Sequence, residues 1–280
     1  EEVPRIVVDW VEFAGPIEPA WPPLSHQTLL PEGIPQTDAA LRSAIAKFLP
    51  RAYRRPVSEA EIEEIVRAAA RAREEFALDE VATTRYALQT MLVMPQFLML
   101  LEPSEQASPP RPLNDYELPS RLSYLLWSSM PDERLFELAA AGKLRDPAVL
   151  RGEVARMIAD PKSRAFVENF TGQWLHVRQF GSVMPARDYS QYDKALEIAE
   201  QEEPYAFFQE VLRQNLSILN FLDSDFTLVN QRLAEFYGIE GVEGEEFRRV
   251  ELKPEHQRGG VLTMGGLLTY LADGTRTLPA

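Results

Sequence analysis

The sequence predicts a mainly α-helical protein with two packed helical units, a short β lead-in and a truncated C-terminal segment. Apolar residues recur at helical spacing along most of the chain, which is typical of amphipathic helices. Strong helix-start signals punctuate this pattern, such as Asp146-Pro147, an N-cap residue followed by proline at the first helical position. A polar, proline-rich stretch at 103–112 separates two helical regions and indicates a domain boundary.

We therefore expect several parts in chain order. Residues 1–36 would be the end of an upstream β-domain plus a proline-rich linker, because Arg5 to Phe13 alternates like a strand and one strand cannot be stable alone. The other parts are a small three-helix unit at 37–102, a main helical domain at 113–240 and the start of a truncated further domain at 250–280. A chain that opens on EEVPRI and stops at GTRTLPA is expected to be a mature form or a fragment of a longer protein.

The small unit contains three predicted helices. The first begins at Thr37 or Asp38, and the second begins with a capping box that Ser58 and Glu61 form. The third runs from about 79 to about 96. Its apolar residues are expected to face the core: Val81, Leu88, Met91 and Leu92.

The main domain begins with four predicted helices between Leu113 and Val177. The first has Asn114 as its N-cap with Glu117 three residues later, which is the capping-box spacing. Its predicted buried face carries Leu118, Leu122, Leu125 and Leu126. The apolar stripe of the fourth helix carries Phe166, Phe170, Trp174 and Val177. Large aromatic side chains at this spacing are typical of a core, so we expect Trp174 to be buried.

Beyond Val177, the pattern predicts a long helix at about 192–215. Pro204 would kink or split this helix, because proline cannot donate the helical hydrogen bond. A short helix from Asn230 to Tyr237 would end at Gly238. Residues 245–252 could form a short strand.

Composition excludes several classes of function. The net charge is −14, from 43 acidic and 29 basic residues, so we expect no nucleic-acid partner and no docking on anionic lipid. The chain has no cysteine, which excludes disulfides, iron–sulfur clusters, thiolate zinc sites and covalently attached haem within it. No apolar run approaches 18 residues, so we expect no membrane span. We also expect no cofactor in this chain.

Acidic and histidine residues form the candidate catalytic sites. Glu197, Glu200 and Glu203 are spaced three residues apart on the long helix, and such a stripe is usually a solvated helix face. If desolvated, these carboxyl groups could act as acid and base, because desolvation raises their pKa. His176, with Glu168 eight residues earlier, is a second candidate because imidazole titrates near neutral pH. A hydrogen-bonded structural histidine is the alternative.

Two further segments carry residues that could bind ions. Asp223 and Asp225 resemble the first half of a calcium loop. Leu228 and Ala234 occupy the positions where that loop needs glycine and glutamate, so a helix-capping turn is the favoured interpretation. The run Arg258-Gly259-Gly260 could hold an anion with its backbone amides, although a Gly-Gly pair serves a tight turn equally well.

Eight segments together carry a resemblance to one family, in that family's order: FLPRAYRRPVSEAEI, ALQTMLVMPQFL, LNDYELPSRLSYLLWSSMPDERL, GKLRDPAVL, FVENFTGQWL, DSDFTLVNQRLAEFYGI, RGGVLT and GTRTLPA. On these segments the chain resembles the planctomycete cytochrome-c-associated proteins, which are large secreted proteins built of domains of unknown function. The resemblance implies export to the periplasm or the cell exterior. It also implies that the partners include other domains of the same parent chain, among them a module that carries haem c. It implies no particular reaction.

The function we expect is that of a helical scaffold or docking module in a large exported protein that bears cytochrome c. Two alternatives stay open, namely a polysaccharide-active enzyme with a carboxylate or histidine site, and a carbohydrate-binding module. Clustered, exposed tryptophans would favour sugar binding, and a carboxylate pair in a cleft would favour the enzyme. A broad acidic face without a pocket would favour docking to a basic cytochrome.

Overall fold

The computed structural model describes residues 10–12, 15, 23–100, 111–182 and 192–272. Helices dominate these residues, and the described strands form one two-stranded sheet, so the prediction of a mainly α fold is confirmed. The chain divides into two compact units, one at 1–111 and the other at 112–280. The predicted strand from Arg5 to Phe13 lies almost entirely outside the described residues, and its described part, 10–12, is neither helix nor strand.

The first unit is built of helices whose ends carry local caps. Its described helices are α1 (Leu24–Leu29), α2 (Asp38–Tyr53), α3 (Glu59–Phe76), α4 (Glu80–Val93) and α5 (Pro95–Leu98). Thr37 Oγ1 accepts the amide N–H of Ala40 at the start of α2. Ser58 and Glu61 form the predicted capping box of α3, and Ser58 N donates to Glu61 Oε2 at 2.8 Å. Aliphatic side chains of α2 and α3 fill the core together with Met91 of α4.

Helix α4 buries a different face from the predicted one. Val81 and Leu92 are exposed, whereas Thr83 and Thr84 are buried beside Met91. Both threonine hydroxyls donate to carbonyls one turn earlier, at 2.7 and 2.8 Å, so their burial leaves no polar group unpaired. The prediction that Val81 and Leu92 face the core is therefore wrong. A threonine whose hydroxyl is hydrogen-bonded within its own helix can be buried, so the side of α4 with Thr83 and Thr84 packs in place of the side with Val81 and Leu92.

The second unit contains most of the helices. Its described helices are α6 (Glu117–Trp127), α7 (Glu133–Ala140), α8 (Pro147–Ala159), α9 (Arg164–Trp174), α10 (Lys194–Arg213), α11 (Gln231–Tyr237) and α12 (Gly265–Tyr270). Short 3₁₀ turns occur at 161–163, 177–179, 218–221, 254–256 and 261–263. Strands β1 (Phe226–Val229) and β2 (Arg248–Glu251) pair antiparallel, with Phe226 opposite Glu251. Helix α10 is continuous through Pro204, so of the two predicted alternatives, a kink or a split, the split does not occur.

Local signals in this unit behave as expected. Asn114 Oδ1 accepts the amide N–H of Glu117 at 2.8 Å, and Glu117 Oε2 accepts that of Asn114 at 2.7 Å, which is the predicted capping box. Helix α11 has Asn230 as its N-cap and Gly238, at φ 69°, as its C-cap. The predicted strand within 245–252 is β2.

The predicted face of α6 is confirmed for three of its leucines, because Leu126 is buried and Leu118 and Leu122 pack against the same apolar cluster. Leu125 is exposed, and the buried residues include Ser120, Ser123 and Trp127. Ser120 Oγ donates to Tyr116 O at 2.8 Å, and Ser123 Oγ donates to Ser120 O at 3.1 Å. The prediction of Leu125 as a core residue is wrong. The side of α6 that packs carries these small serines, whose hydroxyls are hydrogen-bonded, and Leu125 lies on a different side of the helix.

The predicted apolar stripe of α9 is confirmed in part, because Val177 is buried and Phe166 packs against an apolar cluster, whereas Phe170 and Trp174 are exposed. Trp174 is 44% exposed and Phe170 is 46% exposed, whereas Val167, Thr171 and Gly172 are buried. A Cβ atom at Gly172 would lie 3.0 Å from a tyrosine hydroxyl of the adjacent α10, so this side of α9 has room only for small residues. The expectation that Trp174 is buried is therefore wrong.

Residues 250–272 complete the core of the second unit. Val261, Met264 and Leu267 pack with Phe207 of α10 and Phe226 of β1 in one apolar cluster. The expectation that a further domain begins at 250 stays a prediction, and the described part of that segment, 250–272, contributes to the core of the second unit. No described helix combines the length and the apolar character that a membrane span requires.

Candidate functional site

Helix α10 places Glu200 and Glu203 one turn apart on its buried side. Glu200 is 2% exposed and Glu203 is 1% exposed. The interpretation of this stripe as a solvated face is wrong for these two residues, because β1, α11 and α12 pack on α10. Glu197, one turn earlier, is partly exposed and forms an ion pair with Lys194 at 2.6 Å.

Each carboxylate oxygen of Glu203 has a hydroxyl donor. Thr227 Oγ1, on β1, donates to Oε1 at 2.9 Å, and Tyr237 Oη, at the end of α11, donates to Oε2 at 2.6 Å. Tyr237 Oη in turn accepts the amide N–H of Gly265 at 2.7 Å. One carboxyl group therefore connects α10 with β1, with α11 and with the start of α12.

Glu200 is less fully satisfied than Glu203. Its Oε1 is buried without a hydrogen-bond partner among the described residues, although the side chain interacts with Tyr192. A Cβ atom at Gly265 would lie 2.6 Å from this oxygen and 3.0 Å from Tyr237 Oη. The two oxygen atoms therefore converge on Gly265, and only glycine allows α12 to begin so close to them.

Arg258 supplies a positive charge to this cluster. Its guanidinium carbon lies 3.5 Å from the centre of the Tyr237 ring, and its Nη1 donates to Thr263 O at 2.6 Å. Burial, together with the charge of Glu203, raises the pKa of Glu200 to about 7. Burial likewise raises the pKa of Glu203 to about 7, against the opposing effects of its two hydroxyl donors and of Arg258. Both groups therefore titrate in the range that acid–base catalysis uses.

The space beside Glu203 is too small for an organic substrate. The cavity has a volume of about 10 Å³ and is lined by Glu203, Thr227, Leu252, Arg258, Gly259, Gly260, Thr263 and Met264. A volume of this size is that of about one water molecule. A sugar residue does not fit, so the carboxyl pair lies in a closed polar interior and not in a catalytic cleft.

The glycines of the Arg258-Gly259-Gly260 run serve a turn with close backbone approach. Gly259 N donates to Thr263 Oγ1 at 2.9 Å, so this amide already has a partner within the chain. Gly260 has φ 68°, and a Cβ atom there would lie 2.7 Å from the carbonyl of Leu222. These contacts favour the tight-turn interpretation over anion binding.

The remaining candidates lie on the surface. His176 is exposed and stacks on the ring of Tyr270, with 5.7 Å between ring centres. Glu168 is exposed and pairs with Arg164 at 2.7 Å. Asp223 and Asp225 are exposed too, and the described residues contain no group of three or more histidine or acidic side chains that could hold a metal ion. None of these four candidates contributes a hydrogen bond to the Glu200–Glu203 cluster within the described part of the chain.

Sequence reasoning missed Thr227 and Tyr237 as members of the cluster. Thr227 lies inside the otherwise apolar strand FTLV, and a buried hydroxyl needs an acceptor, so this position carried a usable signal. Tyr237 carried none, since a tyrosine before a C-cap glycine is equally compatible with a surface position.

A second feature is an exposed apolar region that we call the aromatic surface. Its members are exposed large apolar side chains from α9 and from the 3₁₀ turn after α10: Phe170, Trp174, Ile218, Leu219 and Leu222. The Phe170 and Trp174 rings lie 5.8 Å apart, and Phe221 of the 3₁₀ turn contacts Trp174 edge-on at 5.2 Å. Ile218 is 75% exposed. Contiguous apolar side chains of this kind mark interaction surfaces.

Comparisons with known proteins give two family matches. No curated protein and no solved structure matches the chain. Residues 40–102 match the family model PSD5, described as "Protein of unknown function (DUF1595)". Residues 113–239 match the family model PSD4, described as "Protein of unknown function (DUF1592)".

Proposed function

We propose that this chain is a helical docking module that binds another protein domain through the aromatic surface. The observation that carries the proposal is the run of exposed apolar side chains from Phe170 to Leu222 in a chain of net charge −14. Burying such side chains against a partner is favourable, at roughly 1.5–3 kcal/mol for each large aliphatic or aromatic group. Aromatic residues are also enriched at the centres of protein interfaces.

The composition of the surface favours a protein partner over a polysaccharide. Sugars are bound by flat aromatic rings with polar groups that fix the hydroxyls. Here the ring neighbours of Trp174 are Phe170 and Phe221, and the Phe221 ring meets Trp174 at an interplanar angle of 89°. The other exposed members of the surface, Ile218, Leu219 and Leu222, are aliphatic. An apolar partner surface matches this arrangement better than a sugar chain does.

The closed state of the carboxyl pair argues against the enzyme alternative. Glycosidases hold their two carboxyl groups on either side of a bound sugar, several ångströms apart. Glu200 and Glu203 instead lie on one helix, 2% and 1% exposed, beside a cavity of about 10 Å³.

The partner we propose is a haem c-bearing module of the same exported parent protein. This identification rests on the resemblance to planctomycete cytochrome-c-associated proteins and on charge. A chain with 43 acidic and 29 basic residues attracts a basic partner through long-range electrostatics. The aromatic surface would then supply the short-range contacts after encounter.

Calorimetric titration of the 280-residue chain with that haem c module, at low and at moderate salt, tests the proposal. Ile218→Ser should weaken binding by about 10- to 100-fold, because it removes one buried aliphatic group. Ile198→Ser is the matched control, because Ile198 is exposed in the same unit but lies in a groove between α10 and α11. Added salt should weaken binding of all forms through the charge contribution.

Two results would contradict the proposal. One is equal affinity of the Ile218→Ser and Ile198→Ser variants, which would place the interface elsewhere. The other is the absence of binding at either salt concentration. In that case binding to soluble polysaccharides, lost on replacing Trp174, would point to a carbohydrate-binding module, and release of reducing ends would point to an enzyme.

A further inference from the structure

The polar cluster around Glu200 contains ionisable groups that docking does not use. Every element that meets there contributes to the cluster. Glu197, Glu200 and Glu203 lie on α10, and Tyr192 precedes it. Tyr237 comes from α11 and Arg258 from the segment before α12, and β1 contributes the hydroxyl of Thr227, a hydrogen-bond donor that does not ionise.

The charges of the buried cluster balance only when one proton is bound. Glu197 is partly exposed and is compensated by Lys194. The interior therefore holds the carboxyl groups of Glu200 and Glu203 against the single guanidinium group of Arg258, among the described residues. With both carboxyl groups ionised, one negative charge would be buried without compensation, which is costly in a region of low dielectric constant. One proton on the pair removes that charge.

Hydrogen bonding indicates which carboxyl group carries the proton. Both oxygens of Glu203 accept a hydroxyl donor, from Thr227 and from Tyr237, and this favours its ionised form. Glu200 Oε1 has no donor although the residue is 2% exposed. An unpaired oxygen costs less on a neutral carboxyl group than on a carboxylate, so the proton belongs on Glu200.

We propose that Glu200 and Glu203 form a buried proton-binding site whose single exchangeable proton holds residues 258–267 against α10. The proton affects the position of α12 because Gly265, at the start of this helix, packs against Glu200 Oε1. The Gly265 amide also donates to Tyr237 Oη at 2.7 Å. An ionised Glu200 would have to recruit water, but its Oε1 is buried against Gly265, and the cavity of about 10 Å³ is lined by Glu203 and not by Glu200. Hydration of the carboxylate therefore requires α12 to move away from α10.

The direction of the pH dependence follows from the raised pKa values. Glu200, which carries the single proton, has a pKa of about 7 in the folded chain, against an ordinary value of 4.5. The folded state thus binds more protons than the unfolded state between these values. The stabilising contribution of the site is fully present below pH 4.5 and is lost as the pH rises to about 7. Residues 258–267 should therefore be held firmly in mild acid and loosely above neutral pH.

Infrared spectroscopy of the unmodified chain gives the first test. At pH 6 ordinary carboxyl groups are ionised, so a protonated-carboxyl C=O band reports groups with a raised pKa. The band should be present at pH 6, should disappear as the pH rises towards 8, and should be missing at pH 6 in Glu200→Gln. Absence of the band in the unmodified chain at pH 6, or its persistence in Glu200→Gln, would overturn the proposal.

Amide hydrogen exchange and thermal unfolding at pH 5, 6, 7 and 8 test the coupling. The amides of 258–267 should exchange faster at pH 8 than the intrinsic effect of pH on exchange explains, and the unfolding midpoint should fall over the same range. Glu200→Gln, a neutral mimic of the protonated state, should abolish both changes. Glu197→Gln, on the same helix but partly exposed, is the matched control and should retain them.

A third variant distinguishes the two carboxyl groups. Glu203→Gln places an amide N–H₂ group opposite a hydroxyl donor, so its unfolding midpoint should be lowered at every pH. Equal behaviour of Glu203→Gln and Glu200→Gln would contradict the assignment of the proton to Glu200. A pH dependence in Glu200→Gln equal to that of the unmodified chain would refute the site as a whole. Neither result depends on docking through the aromatic surface.

Discussion

Removal of the Tyr237 hydroxyl is the most direct probe of the buried cluster. Tyr237→Phe preserves the ring and its contact with Arg258, whose guanidinium carbon lies 3.5 Å from the ring centre. It removes the donor to Glu203 Oε2 and the acceptor of the Gly265 amide. No apolar cavity larger than one oxygen atom is created, so the change isolates hydrogen bonding.

The expected magnitude follows from the groups that lose their partner. A buried donor or acceptor without a partner costs about 1–3 kcal/mol. Tyr237→Phe leaves two such groups, the Gly265 N–H and Glu203 Oε2, so we expect a loss of about 2–6 kcal/mol in the free energy of unfolding at pH 8. The loss should be smaller at pH 5, because Glu203 without its strongest donor binds a proton more readily and the buried charge then disappears.

Urea unfolding followed by tryptophan fluorescence measures this loss, since Trp127 and Trp174 both report on the second unit. The slope of the free energy with urea should be unchanged, which shows that the same surface is exposed on unfolding. Tyr270→Phe is the control, because the Tyr270 hydroxyl bonds to an exposed glutamine of the same unit. A loss below about 0.5 kcal/mol for Tyr237→Phe, or an equal loss in the control, would refute the reasoning.

Three further predictions concern stability. Gly260→Ala should lower the free energy of unfolding, measured in urea, by at least about 1–3 kcal/mol more than Gly244→Ala does. Both glycines have positive φ, but only at Gly260 would the added Cβ lie 2.7 Å from a backbone carbonyl. Equal losses in the two variants would contradict this close approach. Trp127→Ala should lower the free energy of unfolding by about 3–5 kcal/mol, and Trp174→Ala by clearly less, because Trp127 is buried and Trp174 is 44% exposed. The reverse order of the two variants in thermal unfolding would contradict the assignment of these side chains to the core and to the surface. The hydrogen bond from Arg55 lowers the pKa of Glu61 to about 2. The contribution of this pair to the stability of the fold should therefore be present above pH 4.5 and lost as the pH falls towards 2. Glu61→Gln should reduce the loss of unfolding free energy between pH 4.5 and pH 2. An unchanged loss in this variant would show that the pairing is unimportant.

Helix ends could be predicted from the sequence because they depend on residues close together in the chain. Ser58 with Glu61, and Asn114 with Glu117, form the expected capping boxes. Gly238 ends α11 in the left-handed conformation that glycine favours. Each of these interactions spans at most a few residues, so the local sequence contains all the groups that take part.

The buried faces of several helices could not be predicted in the same way. Apolar spacing placed Trp174 in the core, but Gly172 and Thr171 form the side of α9 that packs. The deciding quantity is the distance at which α10 approaches, since a closely packed helix pair admits small residues and forces large rings outward. Apolar periodicity identifies a stripe but not the size of the space that the neighbouring helix leaves.

The same division applies to the candidate site. The sequence by itself determined the helical class, the element order and the presence of Glu200 and Glu203 on one side of α10. Only the tertiary structure decided that this side is buried, and that Thr227, Tyr237 and Arg258 close around it. The physical reason is that burial and pKa depend on groups from β1, α11 and the segment before α12, which are distant in sequence. Their positions are set by packing of the whole second unit, and no local pattern encodes them.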